Sequence, residues 1–165
     1  MIITFIQKAI GQGIGILFGA NGEILTEKTG NLNLGVPGMM YMGGVSGLIG
    51  AFLYENSAAN PSPIVGMLIA LVCALVCSGL GALLYSVLTI SLRANQNVTG
   101  LALTTFGVGF GNFFGGSLIK LTGSEVPSIA LSATSGYFRT TLPFASTTGA
   151  VGQLLFSYGF LAYLA

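Results

Sequence analysis

Apolar residues run along this chain in long blocks, and polar residues gather in the short gaps between them. A block of about 20 apolar residues matches the hydrocarbon thickness that one helix must cross. The pattern predicts crossings at roughly 2–20, 34–54, 64–92, 98–118 and from Gly149 to the C-terminus. No charged face recurs within 64–92, so this longest block does not read as the amphipathic helix of a soluble core. The gap "ENSAANPSP", Glu55 to Pro63, is dense in helix-ending residues and predicts a short connection. Arg93, Asn95, Gln96 and Asn97 mark a second interface. The hydroxyl-rich stretch from Lys120 to Thr148, broken by Pro127 and Pro143, predicts an extramembrane loop with a short interfacial piece near "GYFRTTLPF". The expectation is an all-α, polytopic transmembrane helix bundle of about five segments, one of them Gly/Pro-interrupted. It forms a single transmembrane domain over residues 1–165.

Composition sharpens this picture. With 53% apolar residues and only nine charged ones in 165, a soluble fold would leave large apolar surfaces in water. A net charge of +1 without a basic cluster argues against a nucleic-acid surface. Lys28 and Arg93 fall on one side of the predicted topology, and Lys8, Lys120 and Arg139 on the other, so the positive-inside rule does not choose an orientation. Histidine is absent, and Cys73 and Cys77 sit four apart in an apolar run, too few ligands for a metal. No catalytic set or phosphate-binding loop is present, so any ATP chemistry belongs to another chain. The final apolar run reaches Ala165 without a polar flank, which suggests a piece of a longer protein.

The exception to the oily pattern is "GEILTEKTGNLNLGVPGMMYMGG", Gly22 to Gly44. Ionisable groups near membrane depth persist where they face a cavity, a partner or the interface. Glu23, Glu27 and Lys28 meet that requirement as interface or ion-pair residues, and Arg93 is read in the same way. Gly35, Pro37 and Gly38 then supply a structural bend that interrupts regular helix. Interrupted segments free backbone groups, which are tolerated only inside protein or along a cavity, so the bend points to a substrate path. Asn31 and Asn33 are the leading candidates to line it, with Asn95 and Asn97 weaker ones; an interfacial loop is the plainer alternative. The glycines at 11, 15 and 19, at 43 and 47, and at 107, 111 and 115 are read first as sites of close helix approach.

Two of these blocks carry a family resemblance. The Gly22 to Gly44 stretch resembles the segment after the first membrane helix in permeases of ABC importers for simple sugars and nucleosides. The matching positions are Gly22, Glu23, Glu27, Gly30, Asn33, Gly35, Gly38 and Met40. "SLRANQNVTGLALTTFGVGFGNFFG" is similar to a second block of that family through Arg93, Asn95, Val98, Gly100, Ala102 and Leu103. Pro37 stands where the family usually has glutamate, so no role of that acid transfers. The resemblance implies the N-terminal half of a longer permease, ending before the cytoplasmic loop that docks on an ATPase. It also implies a multi-pass location in the cell membrane and Arg93 on the cytoplasmic side.

The implied function is translocation of a small neutral solute such as a nucleoside or simple sugar. The implied partners are a second permease subunit, cytoplasmic ATPase subunits that use ATP and Mg, and an extracytoplasmic substrate-binding protein. The chain itself would bind no cofactor and catalyse no reaction. Two rival readings are a passive glycine-rich channel, which needs no ATPase, and a truncated remnant that transports nothing.

Overall fold

The computed structural model describes residues 2–122, 131–138 and 157–164. All regular structure among them is helical: α1 (Ile2–Lys28), α2 (Val36–Ser57), α3 (Pro63–Ser86) with a π-helical turn at Val87–Ser91, α4 (Gln96–Thr122), α5 (Ser132–Phe138) and α6 (Phe160–Leu164). Among the described residues, three helical stretches are long and apolar enough to cross a membrane: Ile3–Lys28, Val36–Ser57 and Pro63–Ser91. The fourth expected crossing falls on α4, a helix of 27 residues that is not one of those three stretches. Of the fifth, α6 is the described helical part, and most of the remainder lies outside the described residues, as does most of the Lys120 to Thr148 connection. Helix α5 falls within that connection and overlaps the start of "GYFRTTLPF".

Helix α1 runs further than its apolar block. At about 1.5 Å per residue its 27 residues reach about 40 Å, beyond a hydrocarbon core of about 30 Å. The expected end near Ala20 is therefore corrected: Glu23, Glu27 and Lys28 occupy the last helical turns instead of a loop. What ends the helix is Gly30, whose φ of 85° is the left-handed conformation that glycine adopts without steric cost. Gly30 N–H donates to the Glu27 carbonyl at 2.9 Å and Asn31 N–H to the Thr26 carbonyl at 3.1 Å, a Schellman stop. Residues 29–35 then turn back without helix, and α2 begins at Val36 with Pro37 in its first turn, where the missing N–H costs nothing. The interruption thus lies at the entrance to α2, not within it.

Helix α2 is the centre of the bundle, packed between α3 and α4. It does so through small residues. A Cβ at Gly47 would lie 2.9 Å from the Ala70 carbonyl oxygen of α3, and one at Gly107 of α4 would run into the backbone of Gly38. Glycine allows the approach that membrane helices need when lipid supplies no hydrophobic drive for their association. Met39, Tyr85 and Leu103, one from each helix, form the buried core, with Val36 packed against them. On the outside, Leu68, Val72, Leu75, Val76 and Leu83 form an exposed apolar stripe along α3. Exposed apolar side chains, including Phe5, Ile10, Leu17 and Leu25, surround α1. Faces of this kind are at home against lipid tails or another membrane helix.

Candidate functional site

The connection 29–35 is non-helical, and such a backbone must place each of its polar groups somewhere. Three helices supply the partners. From α1, Glu23 Oε1 accepts from Asn33 N–H at 2.9 Å. From α3, Tyr85 donates its hydroxyl to the Leu32 carbonyl at 2.8 Å. From α4, Gln96 Oε1 accepts from Leu32 N–H at 3.0 Å, and Thr104 Oγ1 donates to the Leu34 carbonyl at 2.7 Å. Within the turn, Asn33 Oδ1 accepts from Gly35 N–H at 2.9 Å, an Asx turn that leads into α2.

This arrangement fixes each predicted residue. Asn33 is buried at 5% exposure, with its backbone tied to α1 and its side chain to Gly35. Asn31 accepts from Gln96 Nε2 at 2.9 Å, so the α1–α2 and α3–α4 connections meet at one end of the bundle. Asn95 caps α4: its Oδ1 accepts from Asn97 N–H at 3.0 Å and Val98 N–H at 3.2 Å. Asn97 is exposed in the first turn of α4. Glu23 directs its carboxylate to Asn33 N–H and to the Thr26 hydroxyl, rather than to Lys28. Glu27 and Lys28 are exposed. Arg93 is exposed in a left-handed conformation with φ 53°, between the π-helical turn and α4.

A cleft of about 740 Å³ opens between α1 and the start of α2. One face of α1, from Ile16 through Gly19 and Ala20 to Glu23 and Glu27, forms one wall. Asn33, Val36, Pro37, Met40 and Tyr41 form the other. The cleft is thus apolar along most of its length and acidic at the end next to the turn. Of the four candidate asparagines, Asn33 is the one that lines it. Tyr41 closes the apolar end; its hydroxyl donates to Asn112 Oδ1 at 3.2 Å, and its ring lies against Gly111.

Tyr85, Gln96 and Thr104 are positions of this site that the sequence pattern did not single out. A tyrosine inside the apolar run 64–92 was the signal at hand, since a buried phenol hydroxyl needs a partner. Gln96 stood only as one of several interface markers, and nothing local says that its two amide atoms reach a turn 64 and 65 residues earlier.

Against known proteins, the family described as branched-chain amino acid transport system / permease component matches residues 5–165. A protein named as a putative glucose ABC transporter permease, from Haloferax volcanii, is 29% identical over 122 residues, which cover 74% of this chain and 34% of the relative. The guanosine ABC transporter permease protein of Bacillus subtilis is 22% identical over 142 residues, covering 86% of this chain and 41% of the relative. The matched part of the chain thus covers less than half the length of each of these relatives. No solved structure matches it.

Proposed function

The chain belongs to the permease-component family of branched-chain amino acid transport systems, and we propose that it is the N-terminal part of the membrane subunit of an ATP-binding-cassette importer. It works in the plasma membrane with a second permease subunit, with ATPase subunits that use ATP and Mg, and with an extracytoplasmic binding protein that delivers the solute. The solute is a sugar or a nucleoside, the classes named for the two relatives.

One observation favours such a neutral solute over an amino acid. The charged groups among the cleft's lining residues are two carboxylates, Glu23 and Glu27, and neither a lysine nor an arginine is among them. Glu23 and Glu27 could pair with the ammonium of an amino acid, but its carboxylate would find no cation among these lining residues. Sugar or ribose hydroxyls, by contrast, are donors for carboxylate oxygens, and the apolar wall of Val36, Met40 and Tyr41 suits the face of a ring.

The test is uptake by the complete transporter, purified through an N-terminal tag and reconstituted in vesicles with its partners. Labelled glucose and labelled guanosine serve as probes, and labelled leucine as the comparison. ATP-dependent accumulation of glucose or guanosine, with an ATPase co-purified, is the expected result. Flux without ATP would replace the importer with a channel, and accumulation of leucine alone would refute the neutral solute.

A further inference from the structure

The two connections that meet at one end of the bundle are joined side chain to side chain by a single amide pair. Gln96 Oε1 accepts from Leu32 N–H, which fixes the orientation of its amide and leaves Nε2 to donate to Asn31 Oδ1 at 2.9 Å. Both Asn31 and Gln96 are half-buried. Backbone positions able to act as hinges flank the pair. Gly30 stands next to Asn31 at φ 85°, and Arg93, three residues before Gln96, holds φ 53°, a conformation that non-glycine residues rarely keep without a reason. Just before Arg93, the end of α3 widens into the π-helical turn Val87–Ser91. There Leu92 N–H reaches the Val87 carbonyl at 3.0 Å and Ala94 N–H the Leu88 carbonyl at 2.9 Å. Such turns insert one residue into a helix and recur at kinks and at functional sites.

We propose that the Asn31–Gln96 amide pair is a clasp that the transport cycle opens and closes, with Gly30 and the Val87–Arg93 stretch as its two hinges. Closed, it holds the 29–35 turn, and with it Asn33 at the acidic end of the cleft, against the start of α4. Open, it releases residues 29–31 from the start of α4, while Tyr85 and Thr104 keep hold of the Leu32 and Leu34 carbonyls. A joint of this kind suits a repeated motion: it is one pair of exchangeable hydrogen bonds at the rim, while the core of Met39, Tyr85 and Leu103 stays packed. The clasp rests on the permease reading, because the motion it serves is that of a transport cycle.

The test uses the complete, reconstituted transporter with Cys73→Ala and Cys77→Ala, to which Asn31→Cys and Gln96→Cys are added. A short, reducible bis-thiol-reactive cross-linker then ties the clasp shut. Cross-linking is expected to lower ATP-dependent uptake of labelled glucose or guanosine at least tenfold, and reduction to restore it. Uptake unchanged by a cross-link that has formed, or no cross-link at all, would overturn the clasp.

A second series covers the case in which the cysteines themselves disturb the fold. Asn31→Asp and Gln96→Glu each keep a complementary partner. In the first, the new carboxylate at position 31 accepts from the amide of Gln96; in the second, the amide of Asn31 turns to donate to the new carboxylate at position 96. The double variant sets two carboxylates face to face. It is expected to lose uptake at least fivefold at normal abundance while the basal ATPase of the complex rises. A double variant that behaves like its parents would refute the proposal. Uptake by the unmodified complex reads the permease assignment separately: its absence removes that assignment and the clasp together, whereas uptake indifferent to the cross-link removes the clasp alone.

Discussion

Glu23 shows how one side chain can serve two segments. Its carboxylate accepts from the backbone of Asn33, ten residues on, and so carries the main link from α1 to the turn. Glu23→Ala should leave the Asn33 N–H without its acceptor and cost about 1–3 kcal/mol. Glu23→Gln keeps an oxygen in place and should cost less than half of that, as the bond becomes neutral instead of charge-assisted. Thermal unfolding of the two variants in detergent checks this, and equal losses would show that charge matters here and the acceptor does not. Asn33 divides in the same way. Asn33→Ser retains a neutral acceptor for Gly35 N–H and should preserve most of the chain abundance, whereas Asn33→Ala should lower it by leaving that buried donor unpaired. Immunoblots of the membrane fraction read the difference. At this scale the sequence was legible in part. Polar residues in an oily chain announced Glu23 and Asn33, but their partners are a backbone N–H and an Asx turn, which residue type alone does not specify.

At the scale of elements, periodicity located the apolar helices because their length is set by the thickness they cross, and boundaries shifted only where caps decide them. Helix α1 continues past its apolar block until Gly30 stops it, and Asn95 starts α4 at Gln96. The glycine spacings were legible as close approach, yet only some of them face a neighbour. Gly43, Gly47, Gly107 and Gly111 meet α3 or α2, while Gly11, Gly15 and Gly115 have open space around them. A repeat of four places residues on one face but does not say what covers it. Gly107→Ala should therefore destabilise the bundle by about 1–3 kcal/mol or more, since the added methyl meets the backbone of Gly38. Gly15→Ala should leave the midpoint unchanged or raise it slightly, because alanine favours helix. Denaturation of the two single variants distinguishes them, and equal losses would mean that α1 packs against something at Gly15.

For the whole molecule, the arrangement is a three-helix centre, α2 between α3 and α4, with α1 laid along one side and joined mainly by the turn. The end-to-end meeting of the two connections follows from simple alternation of crossings, so the topology was implicit in the pattern. The network at that end was not, because each of its bonds to α3 or α4 spans 53 residues or more. The same separation has a consequence in time. The Leu34 carbonyl is paired with Thr104, 70 residues later. At about 5–20 residues per second, a ribosome needs about 4–14 s to make the distance. During that interval α1, α2 and α3 can already be inserted, while the 29–35 turn has no α4 to satisfy it. A cysteine placed at Asn31 should accordingly react with an aqueous maleimide in nascent chains stalled before Gln96 leaves the ribosome, and react more slowly once α4 has joined the bundle. Assembly of this end of the protein is thus scheduled by translation, and a chaperone or the insertion machinery has a window of seconds in which to shield it.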